Sequence, residues 1–238
     1  MSSPPPRHSR ADLHLHSRFS NRPSEWFLRQ VAAPESFSEP LALYRLCRSR
    51  GMDFVTISDH DTLAGSLAIA HLPGTFLSTE VTVRFPEDGC RIHCLVLGLT
   101  ETQHAEIERR REDLYAFHDY LRAENLLHSV AHPLYRVDAA FSLAHLERLL
   151  VLFDRFETRN GMHDRRINQL LVTILEQLTP EVLDDLAERH GLAPRGAQPW
   201  AKTTTGGSDD HGGLFAATTW TETPVATSAA EFLGHLAA

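Results

Sequence analysis

The chain holds 15 His in 238 residues, and several stand beside acids: His14-Leu15-His16, Asp59-His60-Asp61, Glu80, His93, His132 and Asp209-Asp210-His211. Imidazoles and carboxylates mixed in this way, without paired thiolates, suit Zn, Mn or Fe rather than Ca or Mg alone. A His-x-His in a strand puts both rings on one face, because side chains alternate with a period of two. Asp209-x-His211 repeats the arrangement. His14, His16, His60, Glu80, His93, His132, Asp209 and His211 are too many ligands for one tetrahedral ion. They suffice for two or three divalent ions sharing a bridging carboxylate. Such a cluster lowers the pKa of a bound water and clamps the oxygens of an in-line displacement, so phosphoester hydrolysis is its natural use.

Ligands this far apart meet only if the fold gathers them. Alternation of apolar and polar residues predicts a short strand over 11–16, and Pro40 and Gly51 bracket a helix. Further strands are expected over 52–58, 75–79, 92–99, 127–131, 151–157 and 203–207. Between them fall a small-residue helix before Pro73-Gly74, an amphipathic helix over 103–127, a helix around 142–149 and a helical stretch over 164–190, with a last helix from about 227. Alternating β and α elements predict a parallel sheet, open or closed into a barrel, whose strand ends carry the site. His60, Glu80, His132, Asn160 and Asp209 each follow an apolar strand directly. The expected layout is a disordered lead-in over 1–10 and one domain over 11–238.

Composition narrows the partners. A hydrophobic fraction of 42% and a charged fraction of 23% describe a globular chain. A net charge of −8 argues against a general nucleic-acid coat protein, and long nucleic acid is disfavoured as a substrate. No apolar run approaches the ~20 residues of a membrane span, and MSSPPPRHSR lacks the apolar core of a secretory signal. Three Cys, at 47, 90 and 94, suggest a reducing, cytoplasmic setting. Cys90 and Cys94 flank His93 but have no second Cys pair to complete a zinc site. Lys202 is the only lysine, so the counter-charge for a phosphate falls to arginine. The candidates are Arg18 and Arg22 after His-x-His, Arg136 after Ala131-His132-Pro133, and Arg159 with Asn160. Asp59 and Asp61 are read as groups that orient histidines or backbone. The run ERRRED at 108–113 reads as a solvated helix face, and Trp26 and Phe27 as loop anchors or a stacking surface. Of the remaining histidines, His163 is the one to watch.

In order, DLHLHS, ISDHDT, LSTEVT, the strand histidine of IHCLVLG, VAHP and GGSDDH resemble the motifs of the PHP (polymerase and histidinol phosphatase) superfamily. The resemblance runs from about residue 12 to residue 224. It implies a distorted (β/α)7 TIM-like barrel with a multinuclear metal site at the C-terminal rim. It also implies hydrolysis of a small phosphomonoester, such as a nucleotide or sugar phosphate, by a metal-bridging hydroxide. His14, His16, Glu80 and Asp209 would hold the first ion, Glu80, His93 and His132 the second, and His60 and His211 a third. Glu80, His60 and Asp59 would be the catalytic groups. One position departs from the pattern: Asn21 stands where an Asp ligand is expected, which predicts a weaker, more exchangeable or wetter third site. Two other activities fit the resemblance. One is a 5′→3′ exonuclease on short RNA or DNA. The other is a non-catalytic module acting with a partner enzyme such as a glycosyltransferase, which the survival of all the principal ligands disfavours.

Overall fold

The computed structural model describes residues 8–20 and 35–238. Asn21, Arg22, Trp26 and Phe27 lie outside the described residues. The described residues form seven strands: β1 (His8–Ala11), β2 (Ser78–Arg84), β3 (Arg91–Leu97), β4 (Leu127–Val130), β5 (Arg155–Asn160), β6 (Thr203–Gly207) and β7 (Thr221–Pro224). Among the described residues, eight helices accompany them: α1 (Pro40–Ser49), α2 (Ala64–Ile69), α3 (Glu101–Arg110), α4 (Leu114–Ala123), α5 (Leu143–Leu152), α6 (Arg165–Glu176), α7 (Pro180–His190) and α8 (Ala229–Ala237).

The central sheet has five strands in the order β2-β3-β4-β5-β6, and β1 pairs with β7 in a separate two-stranded sheet. The expectation of an all-parallel sheet is corrected here. β2 and β3 pair antiparallel from Ser78↔Leu97 to Arg84↔Arg91, and β3 also meets β4 antiparallel. Only β4–β5 and β5–β6 are parallel. The cause is the length of the first connection. Residues 85–90 form a tight turn in which Phe85 N donates to Cys90 O, and a parallel crossover needs a dozen residues or more. Regular pairing among the described residues gives no closed ring. Isolated bridges extend it, joining Leu15 to Asp210, Val55 to Thr75 and His60 to Glu80, all parallel.

Local chemistry explains the other boundaries. The helix expected over 103–127 is two helices, because Asp113 caps α4 by accepting from Tyr115 N and Ala116 N. The stretch over 164–190 breaks where Thr179 accepts from Val182 N and Pro180 opens α7. α5 runs through Leu152, so β5 begins at Arg155 rather than 151. The lead-in expected over 1–10 gives way to strand at His8, which is aligned with Pro224 in the β1–β7 pair. The strand expected over 11–16 is extended chain that carries only the Leu15 bridge.

The largest apolar cluster gathers Val83, Phe85, Phe117, Phe153 and Phe156 under the helices α3 to α7. Burying each phenyl ring contributes roughly 1.5–3 kcal/mol. A second cluster joins Leu15 and Ile57 to Leu43 of α1, and a third joins Leu13, Phe54 and Phe76 to Phe232 of α8. Leu13 and Leu15 thus anchor the segment whose alternate residues are His14 and His16. No helix among the described residues is long and apolar enough to cross a membrane.

Candidate metal centre

Backbone contacts bring the scattered motifs to one place. Asp12 is buried and accepts from His14 N (3.2 Å), Ser208 N (2.8 Å) and Ala217 N (2.7 Å), which locks the His-x-His segment to the end of β6. Burial raises the Asp12 carboxyl to about 6, against the lowering effect of those donors. β6 comes so close that a Cβ on Gly207 would lie 2.4 Å from His14 Cβ. On the other side Ser58 N donates to Leu15 O (2.8 Å) and Glu80 N to Ser58 O (3.1 Å). His132 (φ 28°) and Asp209 (φ 53°) both sit in the left-handed region, unusual for residues with a side chain. Such strain is concentrated at functional sites.

Glu80 is the hub. Its Oε2 lies 3.1 Å from His14 Nε2, 3.2 Å from His16 Nε2 and 3.1 Å from His60 Nδ1. Its Oε1 lies 2.9 Å from His93 Nδ1 and 3.0 Å from His132 Nε2. Asp209 Oδ1 closes the first group at 3.3 Å from His14 Nε2 and 3.4 Å from His16 Nε2. His211 stacks on His16 with ring centroids 4.2 Å apart. All eight ligand residues expected from the sequence are therefore brought together.

Apart from the His132 Nε2–Glu80 Oε1 hydrogen bond (3.0 Å), these close atoms mostly do not satisfy one another. His14 Nε2, His16 Nε2, Glu80 Oε2, His93 Nδ1 and His211 Nε2 are buried without a hydrogen-bond partner. Atoms bound to one ion at about 2.0–2.2 Å lie roughly 3.0–3.4 Å apart, so the spacing is that of ligands around a shared cation. His14, His16 and Asp209 form one such group, His14, Glu80 and His132 another, and His16, His60 and His211 a third. The residues present fit divalent ions.

Supporting bonds prepare the rings. Glu157 Oε1 accepts from His14 Nδ1 (2.9 Å), and a carboxylate can only accept, so the lone pair of His14 is at Nε2. Ser20 Oγ donates to Asp59 Oδ1 (2.9 Å) and therefore accepts from His16 Nδ1 (3.0 Å), which frees His16 Nε2 in the same way. His211 Nδ1 donates to Asp209 O (2.9 Å). Burial works against charging His14, but Asp209, Glu80 and Glu157 outweigh it and raise its pKa well above the usual histidine range. His16 is likewise driven up to about 10, burial being outweighed by Asp209 and Glu80. Burial opposes the ionised forms of Glu80 and Asp209 as well, yet the surrounding imidazoles hold both well below the usual carboxylate range. The pocket is a fixed cluster of negative charge that demands cations, protons or metal.

The remaining expected site residues fall elsewhere. Asp59 accepts from Ser17 N (2.6 Å), Ser17 Oγ (2.7 Å) and Ser20 Oγ (2.9 Å), so it acts through Ser20 on His16 and is a positioning residue. Asp61 holds Thr82 N (2.7 Å) and Arg111 (3.2 Å), away from the ligand atoms. Asn160 Nδ2 bridges Glu157 Oε2 (3.0 Å) and Asp209 Oδ2 (2.9 Å), which fixes a ligand rather than reaching outward. Arg18 pairs with Glu39 (2.9 Å), Arg136 turns back to Ala139 O, and Arg159 is exposed. The expected arginine clamp is not formed by these three. Lys202 is spent on Phe153 O (2.8 Å), where burial lowers it to about 8.

The structure adds residues that the motifs did not indicate. Glu157 supports His14 and also accepts from His132 N (3.0 Å). The signal available was an acid beside Phe156, three residues before Asn160, with a register shift between Glu157 and Arg159 separating the two. His163 lies with its Nε2 3.8 Å from Asp209 Oδ2 and its ring stacked on exposed Tyr135 at 4.3 Å. His132, Tyr135, Glu157, His163 and Ile167 line a small cleft beside the ligand cluster. Glu35, five residues before α1, also lies against the cluster, with Oε2 3.4 Å from His60 Nε2.

No family model matches the chain. An uncharacterised protein of Methanocaldococcus jannaschii is 31% identical over 74 residues, covering 31% of this chain and 41% of that relative. An amidohydrolase from Chromobacterium violaceum, solved with bound sulfate and no metal, superposes with a TM-score of 0.54 at 16% identity, over 95% of this chain and 96% of that one. PsfC from Pseudomonas syringae gives a TM-score of 0.56 at 15% identity, over 95% and 88%. A two-domain protein from Bacteroides vulgatus containing a predicted PHP-like metal-dependent phosphoesterase gives 0.51 at 13% identity, over 97% of this chain and 63% of that one. The chain thus shares its mixed α/β fold with an amidohydrolase and with a protein containing a predicted PHP-like metal-dependent phosphoesterase.

Proposed function

With the PHP-superfamily fold as premise, we propose that the protein is a divalent-metal-dependent phosphoesterase acting on a small phosphomonoester such as a nucleotide or sugar phosphate. The observation that carries this reading is the convergence of buried, unpartnered imidazole nitrogens on the two oxygens of Glu80. We also read the extended segments around Leu15 and Val55 as completing a seven-membered barrel. The parallel bridges Leu15–Asp210, Val55–Thr75 and His60–Glu80 support it.

Bound Mn, Fe or Zn ions supply Lewis acidity and an acidified water at neutral pH. The chain's own part is preparation. Glu157 and Ser20 fix the tautomers of His14 and His16, and Glu80 and Asp209 stay ionised to receive cations. Asn160 keeps Asp209 aimed at the His14–His16 pair. His163 and Tyr135 form the wall against which a phosphate oxygen or the leaving group rests. The sulfate in the Chromobacterium violaceum protein, an isostere of phosphate, agrees with this substrate class. The buried, unpaired thiols of Cys47, Cys90 and Cys94 agree with a reducing, cytoplasmic setting.

Elemental mass spectrometry of protein passed through gel filtration in metal-free buffer tests the reading. Two or more equivalents of Mn, Fe or Zn per chain, with phosphate release in a phosphomonoester screen, are expected. Fewer than one equivalent after reconstitution overturns it.

A further inference from the structure

We infer that Glu35 is the carboxylate ligand of a third divalent-cation site, shared with His60 and His211, in the role that the sequence pattern leaves to Asn21. This rests on the metal-centre reading above. The Glu35 carboxylate straddles two imidazoles: Oε2 lies 3.4 Å from His60 Nε2, and Oε1 lies 3.7 Å from His211 Nε2. Both spacings exceed an ordinary hydrogen bond and leave room for an ion between the partners. The carboxylate is 8% exposed, and the His60 side chain 7%.

The two rings present lone pairs to that position. His211 donates from Nδ1 to Asp209 O, so its buried and unpartnered Nε2 is free to bind. His60 turns Nδ1 toward Glu80 and Nε2 toward Glu35. Donor atoms of His16, His60 and His211 all lie within 4.8 Å of one another. The chain that carries Glu35 is docked on the chain that carries His16. Ser36 Oγ donates to His16 O (3.1 Å), and Arg18 N donates to Ser38 O (2.9 Å).

The chemistry favours the carboxylate. A divalent ion among neutral imidazoles gains from an anionic oxygen, which an amide does not provide. A third site with Glu35 is therefore charged and tight, in contrast to the weak site that Asn21 alone predicts.

Manganese titration followed by elemental mass spectrometry tests the assignment, with wild type compared with Glu35→Gln and Asn21→Ala. Wild type should bind three equivalents and Asn21→Ala should keep three. Glu35→Gln should keep two, with the third Kd raised by more than the roughly 100-fold that losing a mere supporting partner costs. Three ions at wild-type affinity in Glu35→Gln overturn the assignment. Saturation of the wild type at two also overturns it and leaves the two-ion reading of the Glu80 cluster intact. Fewer than one equivalent in the wild type fails that parent reading instead. Should Glu35→Gln not fold, Glu35→Asp decides. A weakened third ion with two retained supports the assignment, and unchanged three-ion binding overturns it.

Discussion

His16 and His118 are both almost wholly buried, at 0% and 2% exposure. Around His16 stand Glu80 and Asp209, and the ring is driven up to about 10 against the effect of its burial. Around His118 stand Phe153, with centroids 4.9 Å away, His128 at 6.0 Å, and no carboxylate among the groups that shift it. Burial, with His128, Arg122 and Arg195, then outweighs a hydrogen bond to the Leu152 backbone and lowers His118 to about 3. His128 falls to about 4, again chiefly through burial. Each of His16 and His118 also carries a buried Nε2 without a partner. Depth and unsatisfied nitrogens are therefore shared by His16 and His118, and the carboxylates Glu80 and Asp209 beside His16 make the difference between them. A third grouping makes the same point. Asp88, Cys90 and His145 are within ligand distance, but His145 accepts from Ser142 N (3.0 Å) and reaches Asp88 (3.1 Å), so both its nitrogens are used.

The strongest way to break the contrast is His14→Ala with His16→Ala. Metal content should fall by at least one equivalent, and phosphoester hydrolysis should fall by more than the roughly 100-fold typical of losing a mere supporting partner. His118→Leu, measured beside it, should leave metal content unchanged. Equal metal loss from both variants would remove the distinction.

Gly207→Ala should come next. The new Cβ would meet His14 Cβ at 2.4 Å and His14 N at 2.6 Å, atoms fixed by core packing on both sides. Overpacking of this kind costs about 1–3 kcal/mol, read by denaturant unfolding, and should displace His14 enough to reduce bound metal as well. Glu157→Gln follows. It replaces an acceptor that holds His14, His132 and Asn160 at once, and should weaken metal binding roughly 10–100-fold while the melting temperature of the metal-free protein changes little.

Legibility divides along the same line. The ligands were readable because each stands in a short motif with its own local logic: a two-residue period in His14-Leu15-His16, or a strand end before Glu80 and His132. Asp12, Glu35 and Glu157 were not readable, because their meaning is set by partners distant in sequence. Glu157 meets His14 across 143 positions, and Asp12 meets Ser208 across 196. The rim arginines misled for the converse reason. Proximity in sequence to His16 or His132 does not decide where a long flexible side chain points, and Arg18 and Arg136 find partners nearby. In the fold, Pro40 and Gly51 marked α1 well, whereas the antiparallel β2–β3 pair was hidden because apolar strands look alike in either direction.

The smallest expected effect is also the most direct measure of the contrast: stability against pH in metal-free protein. His118 and His128 take up protons near 6.5 when unfolded but only near 3 and 4 when folded. Below pH 6.5 the unfolded chain binds more protons, so their neutral burial stabilises fully above that value and the contribution is lost as pH falls. The slope is up to about 1.4 kcal/mol per pH unit for each ring. His16 runs the other way. Its raised pKa makes its contribution complete below 6.5 and removes it as pH climbs toward 10. His118→Leu should flatten the acid limb and leave the alkaline limb alone. Saturation with Mn should abolish the alkaline limb, since a cation then balances Glu80 and Asp209 whatever the proton activity. An acid limb unchanged in His118→Leu would mean that the two histidine clusters differ less than their surroundings require.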